Sequence, residues 1–149
     1  MITHPKFYFF DVGIYRTLRP NGPLDRPEEI EGSTLETLLF QELRAVNDYF
    51  DLGYALSYWR TSNDAEVDFV LYGKKGLKAF EVKRTGKVRS DDLKGLKAFR
   101  KDYPQAETFL VYGGKRRMRE GEIEIVPIGE CLSGLPKRLG AEDGVSNEQ

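Results

Sequence analysis

Residues 76–112 set a strand, a helix and a strand in direct succession, and that order limits the possible folds more than any composition does. GLKAFEVK (76–83) and AETFLVYGG (106–114) carry the aromatic and β-branched residues of strands, the second around a continuous apolar centre. Between them, 90–103 spaces Leu93, Leu96 and Phe99 along one helical face, with Ser90 or Asp91 as N-cap and Pro104 beyond the end. A helix that joins two strands of one sheet makes a crossover, which requires a parallel pair. Upstream, YALSYWR (54–60) and AEVDFVLYG (65–73) read as two further strands. The turn GKKG makes 65–73 and 76–83 a hairpin. GEIEIVPIG (121–129) alternates and is expected as an edge strand.

A helix is expected over 33–50. Leu35, Leu38, Leu39, Leu43, Val46 and Phe50 form its apolar stripe, opposite Thr37, Gln41, Arg44 and Asp48. Glu36 and Glu42 break the pattern by falling on the core side. Ahead of this helix, KFYFF (6–10) reads as a strand or docking segment, and Asp11 as the cap of a brief helix, VGIYRTL. PNGPLDRPEEIEG (20–32) reads as a loop. The organisation expected is a linker, short helix and docking segment over 1–32, a domain over 33–139, and a disordered tail over 140–149. The fold class is α/β: an αβββαβ core whose mixed sheet is flanked by helices on both faces.

Composition removes several classes. Cys131 is the single cysteine, which excludes an intrachain disulfide and a thiolate zinc cluster. No apolar run approaches the roughly 20 residues of a membrane span, and MITHPKFYFF lacks the features of a signal peptide. A cytoplasmic location and no membrane partner are therefore expected. The net charge of -1 conceals an asymmetry: -6 over residues 1–73, +10 over 74–119 and -5 over 120–149. A basic middle between acidic flanks suits a nucleic-acid surface, or else simply solvates helices and turns.

Alternation along 76–83 puts Leu77, Ala79, Glu81 and Lys83 on one face and Lys78, Phe80 and Val82 on the other. Across the hairpin, Asp68 is expected near Glu81. Two carboxylates brought together repel unless a cation or proton lies between them. An oxygen-only donor set suits Mg²⁺ or Mn²⁺ rather than zinc. The candidate ligands are Asp68, Glu81, the Val82 backbone carbonyl, and Glu36 or Glu42 from the helix. Lys83 would orient or help deprotonate a water, or hold a phosphate oxygen. Arg84, Lys87 and Arg89 follow directly and are candidate phosphate contacts. Lys115, Arg116, Arg117 and Arg119 form a basic turn, in the plainer reading a solvated loop, in the other a phosphate clamp, the two being compatible. Taken alone, Glu-x-Lys on a strand is most often an exposed pair of little consequence.

A helix glutamate, Asp68, and Glu81-Val82-Lys83 within an αβββαβ order resemble the PD-(D/E)XK nuclease superfamily, with its restriction-endonuclease-like fold. GSTLE (32–36) is similar to the resolvase pattern that ends on the helix glutamate, which favours Glu36 over Glu42. Val67 stands where the family's proline usually precedes the aspartate. That resemblance implies Mg²⁺ on Asp68 and Glu81, Lys83 assisting the attacking water, and hydrolysis of a phosphodiester. Over nearly the whole chain, KFYFFDVGIYRTL, GSTLETLLFQELRA, YWR, EVDFVL, FEVKRTG and LKGLKAF resemble the C-terminal domain of unknown function of predicted bacterial and archaeal AAA+ ATPases. There is no GxxxxGK[ST] phosphate loop, so an excised C-terminal domain or a stand-alone relative is expected. The implied partners are DNA and an ATPase module in cis or trans, and a homo-oligomer is compatible. A catalytically inactive docking module of the same fold is the alternative.

Overall fold

The crossover required by residues 76–112 organises the sheet. The computed structural model describes residues 6–8 and 27–142. Its strands are β1 (Lys6–Tyr8), β2 (Ala55–Arg60), β3 (Glu66–Gly73), β4 (Gly76–Lys83), β5 (Glu107–Tyr112), β6 (Met118–Glu120) and β7 (Ile123–Pro127). They form one seven-stranded sheet in the order β1-β2-β3-β4-β5-β7-β6. Neighbours from β1 to β4 are antiparallel, β4–β5 and β5–β7 are parallel, and β6 closes antiparallel on β7. The helices are α1 (Pro27–Tyr49), α2 (Lys94–Asp102) after a 3-10 turn Ser90–Leu93, α3 (Ile128–Ser133) and α4 (Leu135–Arg138). The fold is mixed α/β with helices on both faces.

Each face of the sheet has its own core. On one side, Leu39, Phe40, Leu43 and Val46 of α1, with Cys131 and Leu135 of α3 and α4, cover Phe69, Leu71, Phe80, Phe109 and Val111. On the other, Leu93, Leu96 and Phe99 cover Trp59, Val67, Val70, Ala79 and Leu110. The aromatic rings mark the two layers: Phe80 stacks on Phe109 at 4.8 Å between centroids, and Trp59 meets Phe99 edge-on at 5.3 Å. Burial of both faces explains why 107–112 reads as a continuous apolar run rather than an alternating one.

Several expectations need correction. Helix α1 begins at Pro27, inside the stretch expected as a loop. Proline is well suited to the first helical position. Leu38 and Phe50 are exposed at 38% and 40%, while Phe40 is buried, so the buried stripe is rotated from the one expected. GEIEIVPIG is not an edge: β7 lies between β5 and β6, and the exposed edge is β6, from the segment expected as a basic turn. The short helices α3 and α4 were not expected. Ala141, in the expected tail, packs against the α1-side core. The expected helix 12–18, the loop 20–26 and the tail 143–149 lie outside the described residues. Among the described residues, no helix is long and apolar enough to cross a membrane.

The chain turns from α1 into β2 through a polar clasp. Buried Asn47 donates from Nδ2 to the Tyr54 carbonyl at 2.9 Å and accepts the Tyr54 N–H on Oδ1 at 2.9 Å. The Tyr54 hydroxyl then donates to the Leu139 carbonyl at 2.7 Å, tying the end of α4 to the same point. Asn47→Ala strands two buried backbone groups and is expected to cost roughly 1–3 kcal/mol. Urea denaturation checks this, with a lowered midpoint at an unchanged slope; an unchanged midpoint would mean that solvent replaces the amide.

Candidate active site

The site begins with an irregularity in β3. Ser57 pairs with Val70 and Trp59 with Val67, so two residues, Asp68 and Phe69, stand opposite Tyr58 alone. This is a β-bulge, which bends a strand and re-aims a side chain. One consequence is visible in the core, where Val67 and Val70 bury on the same face while Phe69 buries on the other. Strict alternation would forbid that. On its other side, the β3–β4 ladder ends at the pair Phe69–Phe80. Beyond it, the Val82 N–H donates not to a strand carbonyl but to Asp68 Oδ2 at 2.9 Å. The carboxylate thus occupies the gap where the two strands part.

Glu81 meets it there. Its side chain is 6% exposed and belongs to the α2 face, with Leu77 and Ala79. A Cβ built on Gly95 of α2 would lie 3.2 Å from Glu81 Oε2 and 2.0 Å from the Glu66 carbonyl oxygen. Only glycine lets α2 approach β3 and β4 this closely. Burial pushes the Glu81 carboxyl up from its ordinary 4.5 to about 10, reinforced by the Asp68 charge, against which Lys83 acts in the opposite sense. A hydrogen bond to Asp68 and the charge of Glu66 raise it further. Protonated Glu81 therefore donates to Asp68, and one proton holds two carboxyl groups together.

Lys83 ends β4, half-buried, and pairs in register with Tyr112 of β5. Arg84, Lys87 and Arg89 are exposed on the loop that follows. Asp68, Glu81 and Lys83 are therefore brought together, with Glu66 as an unforeseen neighbour. Glu36 and Glu42 are half-buried on α1, which packs on the opposite face from Glu81. Among the described residues, no group of three or more His, Cys, Asp or Glu side chains converges to hold a metal ion. Asp68 and Glu81 are two carboxyl groups, the number of carboxylates that Mg²⁺ commonly takes while keeping several waters.

A separate groove of about 710 Å³ lies at the opposite end of β5 and is lined by Lys78, Glu107, Phe109, Glu124 and Arg138 among others. Several of its charges are paired within it. Lys78 pairs with Glu107, and Arg117 and Arg138 both reach Glu124, at 2.7 and 3.1 Å. It holds none of the candidate catalytic groups.

Two features of the site went unforeseen, yet each left a trace in the sequence. The run Val67-Asp68-Phe69-Val70 departs from strict alternation, which is how a bulge looks in one dimension. Gly95 interrupts an otherwise good helical pattern, which usually has a packing reason.

The profile of a family described as Domain of unknown function (DUF4143) matches residues 31–131. No curated protein and no solved structure matches the chain.

The buried carboxyl pair has a linkage consequence. Because the folded Glu81 holds its proton above the ordinary 4.5, its contribution to stability is complete below that pH. It is lost progressively as pH rises toward about 10. Glu81→Gln keeps a donor for Asp68 and does not titrate. In EDTA the variant is expected to match wild type near pH 4 and to exceed it increasingly from pH 6 to 9, by chemical denaturation. A difference that stays flat with pH would show that Glu81 titrates as an ordinary carboxylate.

Proposed function

The chain belongs to the family described as Domain of unknown function (DUF4143), and we propose that within it this domain is a metal-dependent phosphodiester hydrolase acting on DNA. One observation carries the reading: two carboxyl groups, Asp68 and Glu81, share a site in the split between β3 and β4, with Lys83 two residues on along the same strand face. Buried like charges are costly, and a structural role is served as well by one carboxylate capping Val82. The second carboxylate is accounted for by a cation. The likeness of the motif to PD-(D/E)XK nucleases supports the same chemistry, and the wider likeness supports an ATPase module, in cis or trans, as partner.

In this reading, Asp68, Glu81 and the Val82 carbonyl would hold Mg²⁺ or Mn²⁺, and Glu36, on the α1 side of the sheet, is not among the ligands. The ion would polarise the phosphate and lower the pKa of a water. Lys83 Nζ orients that water or neutralises a non-bridging phosphate oxygen as charge develops. Asp68 is held in place by the Val82 N–H, so its orientation does not depend on the ligand. Arg84, Lys87 and Arg89 bind flanking phosphates and fix the register of the backbone.

A second reading is favoured by one specific feature. Glu81 is 6% exposed beneath α2, and a carboxylate so enclosed is poorly placed to meet a hydrated ion. The domain would then be an inactive docking module that retains the nuclease architecture.

Cleavage of supercoiled and single-stranded DNA in Mg²⁺ or Mn²⁺ decides between them. Glu81→Ala and Lys83→Ala are each expected to lower the rate at least about 100-fold, the usual scale for a catalytic acid–base group. Glu36→Gln, from the opposite face, is expected to cost less. Cleavage that persists in both Glu81→Ala and Lys83→Ala would remove the assigned site. No cleavage by wild type, with no thermal shift on adding either ion, would establish the docking reading.

A further inference from the structure

Two loops of the +10 segment lie at the ends of β4 and β5, and only one of them adjoins the carboxylates in sequence. Residues 84–89 leave the end of β4; residues 113–117 leave the end of β5, the parallel neighbour in which Tyr112 stands beside Lys83. The two loops are laid side by side by their backbones. The Gly113 N–H donates to the Thr85 carbonyl at 3.2 Å. A Cβ on Gly113 would stand 2.1 Å from the Arg84 carbonyl oxygen, so the approach admits only glycine. The second loop is also held from beneath. The hydroxyl of Tyr112, a side chain 2% exposed, accepts the Arg116 N–H at 3.2 Å and donates to the Arg116 carbonyl.

What this scaffold presents is uniform in charge. Neither 83–90 nor 113–119 contains an aspartate or glutamate. Lys87, Lys115 and Arg116 are exposed and, among the described residues, no carboxylate pairs with them. Arg117 differs, since it turns away to Glu124. Some cations elsewhere are balanced: Lys78 has Glu107, Lys97 has Glu120, and Arg138 has Glu124. Lys87, Lys115 and Arg116 instead stand together at the carboxyl ends of the parallel strands, where open α/β sheets take their ligands. Both loops also lack aromatic side chains. Binders of single strands rely on aromatics to stack exposed bases; cations alone suit a backbone whose bases are already paired.

We propose that the β5–β6 loop is the second rail of a duplex-DNA backbone site, in which Lys115 and Arg116 take phosphates alongside Lys87 and lead the strand toward Asp68 and Glu81. This rests on the reading of DNA as substrate and adds residues, strandedness and direction to it. Because the binding groups meet phosphates, binding is independent of base sequence and depends steeply on salt.

The test is fluorescence anisotropy with a short labelled duplex in EDTA, over a series of KCl concentrations. A Lys115→Ala, Arg116→Ala double variant is expected to bind at least about ten-fold more weakly. Its log K against log salt should be shallower by about 1.8, since each phosphate left without its cation removes roughly 0.9 from the slope. The control removes the same charge from the β3–β4 turn, at the other end of β4: Lys74→Ala, Lys75→Ala should bind as wild type. Equal losses in the two double variants would reduce the effect to net charge, and wild-type binding by the first would remove the loop from the site; either overturns the proposal. Tighter binding of single-stranded DNA or duplex RNA than of duplex DNA would overturn its strandedness. Because binding is read without a metal, loop-dependent binding combined with no cleavage in Mg²⁺ sinks the hydrolase reading alone. Cleavage indifferent to the loop sinks this inference alone.

Discussion

One unpaired backbone amide governs this fold's most unusual region. Where β3 bulges, its ladder with β4 stops, and the Val82 N–H is left without a strand partner. A buried amide in that position costs about as much as a lost hydrogen bond unless something accepts from it. Asp68 accepts, and in doing so it is fixed beside Glu81. The same geometry that satisfies the backbone therefore creates a second problem, two carboxyl groups in one poorly solvated place. The fold resolves it with a proton. A divalent ion would resolve it equally well, and strain of this kind, held by surrounding structure, is found preferentially at functional sites.

The two-sided core explains why that strain persists. Phe80 and Val82 are locked into the α1 layer, so Glu81 between them must face α2. Helix α2 cannot retreat, because Leu93, Leu96 and Phe99 anchor it on Trp59 and its neighbours. Gly95 lets the helix settle onto the site instead of being held off by a side chain. Burial and electrostatics are thus coupled: the packing that stabilises the sheet is also what desolvates the carboxyl group.

Charge follows the same division of labour. Part of the basic middle segment serves the fold, with Lys78 and Lys97 pairing to acids on neighbouring strands. Lys87, Lys115 and Arg116 are carried on the two loops at the ends of β4 and β5, neither of which contains an acid. Exposed cations contribute little to stability when paired and less when not. Their clustering at the mouth of the carboxylate site is better matched to long-range attraction of a polyanion than to holding the domain together.

The sequence determined the order of the elements, the hairpin, the crossover and the faces of β4, because those follow from periodicity and turn chemistry within a few residues of each other. It also set Asp68 and Glu81 near one another, since a short hairpin leaves little freedom of register. Only the tertiary structure decided the rest. The extent of α1, the interior place of β7 and the edge role of β6 depend on which surfaces find partners, which no local pattern encodes. The bulge at Asp68 depends on a mismatch between β2 and β3, a property of two strands rather than one. Glu36 shows the limit most clearly. Its helical phase was readable from residues 33–50, but the face of the sheet that the helix would cover was not, because that is settled by how the whole apolar stripe packs.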